Sequence, residues 1–154
     1  MIAYRITKAK RATDLSGKGA ALEGGRWNSI DIPAIYMGLS PAICCLETFV
    51  HTTHYPTLPL IITRFVLPAN KSLYFQPNPN ELPENWAALP ADQAGMAYGS
   101  AWLKANRQLG LIVPSAVMPL ENNIVINPAH PAVARIHVDK QFKFMYDARM
   151  FEAR

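Results

Sequence analysis

The sequence predicts an α+β domain built around an interrupted sheet. Segments with the residue types and alternation of β-strands outnumber helical segments. The order of these segments also lacks the strict strand-helix-strand alternation of a doubly wound parallel sheet. The predicted strands are Ile2–Ile6, Ala34–Met37, Leu60–Leu67, Leu111–Met118, Asn123–Ile126, Ala134–Val138 and Phe142–Tyr146.

Helical signals are strongest in two places. The first helix begins with Ser40 as a candidate N-cap, has proline at its first helical position, and is predicted to continue to about Thr53. The second is predicted over Ser100–Leu109, with Gly110 as its C-terminal stop. Between them, the stretch Asn70–Pro90 is rich in proline and asparagine, which predicts a long surface loop with at most short helical pieces.

Length and composition favour one globular domain over residues 1–154. Half of the 154 residues are hydrophobic, so the chain can bury roughly two-thirds of its unfolded surface. No apolar run approaches the roughly 18 residues of a membrane span, and the charged N-terminus is unlike a signal peptide. The cysteines, Cys44 and Cys45, are helix neighbours that point about 100° apart, which suits neither a disulfide nor a zinc site. We therefore expect a cytoplasmic protein without a structural metal.

The basic residues allow two simple functional hypotheses. A formal charge of +4 favours an anionic partner, and a cluster near the N-terminus could form a non-catalytic anion-binding module. A ribonuclease would instead combine basic residues with histidines as acid and base. The H-x-x-H spacing of two of the histidines is a weak metal signal, because no carboxylate follows as in H-E-x-x-H. The basic cluster comprises Lys8, Lys10, Arg11 and Lys18, and the candidate histidines are His51, His54 and His130.

A set of polar residues at predicted strand and helix ends favours a third hypothesis. Glu47 is unexpected, because it borders the apolar stripe that Ile43, Leu46 and Val50 would form on the first helix. Each member of the set alone fits a surface or packing role. Together they suit one particular ligand, and the set comprises Arg5, Arg26, Tyr36, Glu47 and Ser115.

The order of these residues in short motifs resembles the RES domain family along nearly the whole chain. An early Tyr-Arg is followed by G-R-W-N, and a strand containing Tyr36 leads into S-P-A-x-x-x-L-E, which ends at Glu47. A helix containing tryptophan then leads into V-P-S-A-V around Ser115, and N-x-x-I-N-P-x-H-P begins at Asn123. Only residues 70–99 match no motif of the family.

The resemblance implies a fold, an activity and a partner. The fold would be ADP-ribosyltransferase-like, with twisted mixed sheets that form a central cleft and flanking helices. The activity would be that of a growth-arresting toxin that cleaves the nicotinamide–ribose bond of NAD as its substrate, by hydrolysis, phosphorolysis or ADP-ribosyl transfer. The partner would be a cognate helix-turn-helix antitoxin that blocks the active site and makes the DNA contacts itself.

Roles within the site follow from the chemistry of the implied reaction. Glu47 would stabilise the oxocarbenium-like transition state on the ribose. Arg5 and Arg26 would bind the pyrophosphate or orient ribose hydroxyls, because guanidinium forks match phosphate oxygens. Tyr36 would stack on the nicotinamide or hydrogen-bond a ribose hydroxyl, and Ser115 would be a small polar contact. Asn123 and Asn127 also match the family pattern, as ligand contacts or as ties between loops.

Overall fold

A seven-stranded mixed sheet organises the chain in the computed structural model, which describes residues 1–152. The sheet order is β4-β5-β6-β2-β1-β3-β7, and every pairing is antiparallel except the parallel pair β4–β5. The α+β prediction is confirmed. The strands are β1 (Ile2–Lys8), β2 (Ile35–Gly38), β3 (Leu60–Val66), β4 (Tyr74–Phe75), β5 (Gly110–Pro114), β6 (Asn122–Ile126) and β7 (His137–Phe144).

Three α-helices accompany the described strands: α1 (Lys18–Glu23), α2 (Pro41–Phe49) and α3 (Gln93–Ala105). Helix α1, a short helix with glycine at its N-cap, was not predicted from the sequence. Helix α3 begins and ends earlier than the predicted Ser100–Leu109, because Asn106, in the left-handed conformation, ends it. Gly110, predicted as the stop of that helix, is instead the first residue of β5.

Strand boundaries at the C-terminal end of the chain also differ from the prediction. The predicted strands Ala134–Val138 and Phe142–Tyr146 are one strand, β7, preceded by the 3-10 turn Pro131–Arg135. The predicted strand Leu111–Met118 stops at Pro114, because Ser115 begins a tight turn there. All residues of β7 except its last are exposed, so the pattern of burial could not mark its limits.

Alternate residues of the central strands build hydrophobic cores on the two faces of the sheet. Ile124 and Ile126 of β6 pack in a cluster with Phe65 of β3. Val125, between them, packs on the other face in a cluster with Leu103 of α3 and Trp27. Helix α2 contacts β1, β2 and β6. The long stretch predicted as a loop contributes β4 and two 3-10 turns, Lys71–Leu73 and Pro79–Glu81.

Candidate active site

Helix α2 presents Glu47 to the sheet. Ser40 caps the helix by accepting a hydrogen bond from the backbone N–H of Ile43 at 3.2 Å. The buried side chains of the helix are Ile43 and Cys44, at 0% and 5% exposure, whereas Val50 is 53% exposed. The predicted stripe through Val50 is therefore wrong. Glu47 lies one turn after the buried pair, on the side of the helix that packs on the strands.

Gly38 of β2 lets this helix approach closely. A Cβ at Gly38 would lie 2.8 Å from the backbone nitrogen of Cys44 and 2.9 Å from its Cβ, which is closer than packed atoms allow. Gly38 is paired with Asn123 on the neighbouring strand β6. Because Gly38 has no side chain, α2 packs close enough to the sheet for Glu47 to accept a hydrogen bond from Asn123.

Two neutral donors hold one oxygen of the Glu47 carboxylate. Oε1 accepts hydrogen bonds from Ser115 Oγ at 2.7 Å and from Asn123 Nδ2 at 2.5 Å. Ser115 is completely buried, and its Oγ also accepts from the backbone N–H groups of Val117 and Met118, each at 3.0 Å. The hydroxyl proton of Ser115 is therefore committed to Glu47, which makes Ser115 a support for the carboxylate.

The second oxygen of Glu47 has no such partner. No described side chain or backbone group donates a hydrogen bond to Oε2, and the ion pairs among the described residues are Arg64–Asp139 and Arg149–Asp147. Glu47 is half-buried. A carboxylate in this setting keeps its negative charge unneutralised and can stabilise positive charge on a bound molecule.

Glu121 is a supporting residue that the sequence analysis missed. Its Oε2 accepts a hydrogen bond from Ser40 Oγ at 3.2 Å, and its carbonyl accepts from the backbone N–H of Ser115 at 2.9 Å. It therefore connects the start of α2 to the turn that carries Ser115. No local pattern marked it, because Glu121 precedes β6 in the bend that follows the Ser115 turn, where the alternation of a strand does not apply.

The side chain of Asn28, the last residue of the G-R-W-N segment, holds that segment in place. This residue is fully buried, and its Nδ2 donates to the carbonyls of Ala20, Ser29 and Ile32 at 2.9 to 3.2 Å. Its Oδ1 accepts the hydroxyl proton of Tyr36 at 2.6 Å. Because both the nitrogen and the oxygen of the Asn28 side-chain amide have hydrogen-bond partners, the segment has little freedom to move.

Tyr36 connects that segment to the sheet. Its hydroxyl also accepts from the backbone N–H of Trp27 at 3.0 Å. Burial raises the pKa of Tyr36 well above its usual range, and the charge of Arg26 lowers that pKa in part. The phenol therefore stays protonated with its proton given to Asn28, so what it can offer a ligand is mainly its ring face.

Arg26 is anchored by the segment that matched no family motif. Its Nη1 donates to the carbonyls of Trp86 and Ala88 at 2.7 and 2.9 Å. Trp86 is itself stacked on Trp27, with ring centroids 6.0 Å apart. These contacts leave Nη2 and Nε of Arg26 as donors for a ligand.

The strand register brings part of the predicted set together. Tyr36 lies two residues from Gly38 on β2, and Gly38 pairs with Asn123. Tyr36, Asn123 and the Glu47 carboxylate bound to Asn123 thus share one face of the sheet. Arg26 lies close enough to Tyr36 for its charge to act on the phenol.

Arg5 lies on the other face. Tyr4 pairs with Gly38, so Arg5, the next residue, points to the opposite side, where its guanidinium lies 5.3 Å from the ring centroid of Phe65. Burial lowers the pKa of Arg5, with a smaller opposing effect of Asp14. No described contact connects Arg5 to Glu47, and its predicted role in ligand binding stays a prediction.

Asn127 ties two segments together. It is 2% exposed, and its Nδ2 donates to the carbonyl of Leu103 at 2.8 Å and to Asn106 Oδ1 at 3.0 Å. These bonds hold the end of α3 against the strand β6. The cysteines are free thiols: Cys44 is buried, which raises its pKa to about 11, and Cys45 is half-buried.

Residues 1–152 contain neither a membrane-spanning helix nor a cluster of metal ligands. No described helix is long and apolar enough to cross a membrane. No group of three or more His, Cys, Asp or Glu side chains in that range is arranged to hold a metal ion.

Comparison with known proteins finds one family model, described as the RES domain, which matches residues 2–147. The "Prs ADP-ribosylating toxin" of Sphingobium sp. is 39% identical over 142 residues, covering 90% of this chain and 88% of that protein. A "Toxin Res" of Photorhabdus laumondii is 34% identical over 157 residues, covering 100% of this chain and 99% of that protein.

A solved structure shares the fold. It is the crystal structure of the MbcT-MbcA toxin-antitoxin complex of M. tuberculosis, matched with a TM-score of 0.73 at 22% identity over 94% of this chain and 84% of that chain. At this identity the likeness concerns the arrangement of the backbone.

Proposed function

The chain belongs to the RES domain family, and from that premise we propose that it is the toxin of a toxin–antitoxin pair that cleaves the nicotinamide–ribose bond of NAD. The observation that carries the proposal is the state of Glu47. One oxygen of its carboxylate is fixed by Ser115 and Asn123, and the other accepts no hydrogen bond from the described residues.

Charge development in the reaction explains why such a carboxylate would be needed. When the bond between ribose C1′ and nicotinamide breaks, its electron pair leaves with the nicotinamide and positive charge spreads over the ribose. Oε2 of Glu47 would face that charge. Because Ser115 and Asn123 are neutral, they orient the carboxylate without cancelling its field, whereas a salt bridge would cancel it.

The remaining residues would bind and orient the dinucleotide. The free nitrogens of Arg26 would donate to the pyrophosphate. The ring of Tyr36 would pack against the nicotinamide or ribose, since its hydroxyl is occupied by Asn28. An acceptor oxygen then attacks C1′ and loses its proton. Water, inorganic phosphate and a protein side chain would each fit this step, and the name of the Sphingobium relative favours ADP-ribosyl transfer.

Product analysis tests this function. Purified protein is incubated with NAD, with and without phosphate, and the products are identified by mass. We expect nicotinamide release, together with ADP-ribose in water or ADP-ribose 1″-phosphate with phosphate. If only transfer occurs, the ADP-ribosyl mass appears on an added protein acceptor. Intact NAD under all three conditions, with lysate protein supplied as acceptor, would contradict the proposal.

A protein antitoxin would cover this site. Two leucines beside the site residues are strongly exposed: Leu89, at 82%, follows Ala88, whose carbonyl binds Arg26, and Leu120, at 93%, precedes Glu121. A bound antitoxin that covers the site residues would also bury these two side chains. The MbcT-MbcA complex is a relative of this fold with a bound antitoxin.

The antitoxin proposal predicts a separation of activities. Leu120→Asp should leave NAD cleavage unchanged but restore growth arrest in cells that coexpress the cognate antitoxin. The exposed Leu58, at 68%, offers the matched control Leu58→Asp. Equal neutralisation of the wild type and both variants would show that Leu120 does not contact the partner.

A further inference from the structure

A cavity lies on the other side of α2 from Glu47. Its volume is about 560 Å³, and strands β1 and β3 contribute Ile6 and Leu60 to its lining. Glu47, by contrast, reaches over β2 to Asn123 on β6. Residues far apart in the sequence meet in this cavity: the end of β1 with the 3-10 turn Ala9–Arg11, and the segment that follows α2.

The lining of this cavity is cationic. It contains Lys8, Lys10 and Arg11, together with His51 and His54, and no Asp or Glu. None of the three cations forms an ion pair with a described carboxylate, since the ion pairs in residues 1–152 are Arg64–Asp139 and Arg149–Asp147. Thr7, Thr48 and Thr52 also line the cavity, and their hydroxyls donate to backbone carbonyls of the chain.

The side chain of Arg5 holds the 3-10 turn Ala9–Arg11 in place. Nη2 of Arg5 donates to the carbonyls of Arg11 and Ala12 at 3.0 and 3.1 Å, and the same guanidinium lies over the ring of Phe65. These bonds fix the backbone that carries Lys10 and Arg11. On the opposite wall, Thr53 Oγ1 lies 2.9 Å from Nδ1 of His54, which orients that imidazole.

We propose that this cavity binds a phosphorylated small molecule of nucleotide size. The ammonium groups of Lys8 and Lys10 and the guanidinium of Arg11 are donors that match phosphate oxygens, and the lining offers no carboxylate to repel an anion. The volume lies within the roughly 300–1,000 Å³ of small-molecule sites. A groove for single-stranded nucleic acid would also need aromatic platforms, and the lining holds no Phe, Tyr or Trp.

Binding at this cavity does not depend on NAD cleavage. The Glu47 site does not use Lys8, Lys10 and Arg11 or the histidines that follow α2, and the cavity brings them together. Arg5 has a positioning role, because its side chain fixes the backbone of the Ala9–Arg11 turn and is not itself part of the lining.

Calorimetric titration of the full chain tests the site, with inorganic pyrophosphate and adenosine 5′-monophosphate as probes at fixed ionic strength. The test variant is Lys8→Gln with Lys10→Gln. The control variant, Lys140→Gln with Lys143→Gln, removes the same charge from exposed positions of β7. We expect the test variant to bind the probes at least about tenfold more weakly, because hydrogen bonds to charged groups are lost, and the control to stay within about twofold.

Arg26→Gln separates this cavity from the NAD site, because it removes the proposed pyrophosphate contact of the NAD site and should still bind the probes as the wild type does. Unfolding curves confirm that all of these variants fold. Equal weakening in the test and control variants, full affinity in the test variant, or loss of binding in Arg26→Gln would each overturn the proposal. Tighter binding of a ten-nucleotide RNA than of the mononucleotide, or cleavage of that RNA, would also overturn it.

Discussion

The charged side chains on the two sides of helix α2 differ in sign, in burial and in how firmly hydrogen bonds fix them. On the side of β6, a single carboxylate is half-buried and fixed by Ser115 and Asn123. On the side of β1 and β3, exposed cations surround an open cavity and make no ion pair with described residues. A fixed charge in a partly desolvated site suits transition-state stabilisation, whereas solvated charges suit the capture of an anion. The nine-residue helix α2 therefore separates the proposed catalytic site from the proposed anion-binding site.

Arg26→Lys should give the largest effect among the residues around Glu47. The lysine ammonium cannot bond to both carbonyls of the 86–88 segment and still present a fork to a pyrophosphate. We expect kcat/KM for NAD to fall by about 100-fold or more, in line with the loss of two bonds to charged groups.

The control for Arg26 is Arg107→Lys, at an exposed position after α3. Both variants are compared with the wild type by nicotinamide release over a range of NAD concentrations. Wild-type turnover by Arg26→Lys would show that no bidentate contact is made there.

Ser115→Ala and Asn123→Ala should have intermediate effects on kcat. Each removes one donor to the same oxygen of Glu47, at a cost of about 10- to 100-fold. Because both donors orient one carboxylate, the double variant should lose less than the product of the two single losses.

This double-mutant cycle also has a distinctive readout in KM. The KM for NAD should change little, since the donors act through Glu47 and do not bind the substrate directly. Strictly multiplicative losses, or losses confined to KM, would indicate that Ser115 and Asn123 contact the substrate independently.

Lys8→Gln with Lys10→Gln should have the smallest effect on NAD cleavage. The cations lie on the far side of α2, so kcat/KM should stay within about twofold of the wild type at physiological salt, where exposed charges beyond about 8 Å are screened. A tenfold loss of NAD cleavage in this variant would remove the distinction between the two sides of the helix.

Sequence patterns predicted the parts of the fold that depend on local chemistry. Ser40 followed by proline marked the start of α2, because capping and a fixed φ are local properties. The limits of β7 were missed because an exposed edge strand has no inward-facing residues to reveal its period. Asn106 ended α3 in the left-handed conformation, a stop that asparagine signals less clearly than glycine.

The candidate site was predictable as a set of residues but not as a geometry. Motif order named Glu47, Ser115 and Asn123, yet their mutual hydrogen bonds depend on how close α2 lies to the sheet. That distance depends on Gly38. The need for glycine at this position follows from the close packing of Cys44 against it, which only the structure shows. Likewise, the opposite orientation of Arg5 follows from a strand register that no local pattern specifies.

Nicotinamide release by Glu47→Gln tests the central claim most directly. This substitution removes the negative charge while keeping the shape of the side chain, and Glu84→Gln, at an exposed position, makes the same charge change elsewhere. We expect NAD cleavage to fall by at least about 1,000-fold in Glu47→Gln, as for other groups that stabilise transition-state charge, with unchanged folding and a fully active Glu84→Gln. Undiminished nicotinamide release by a folded Glu47→Gln protein would contradict the account.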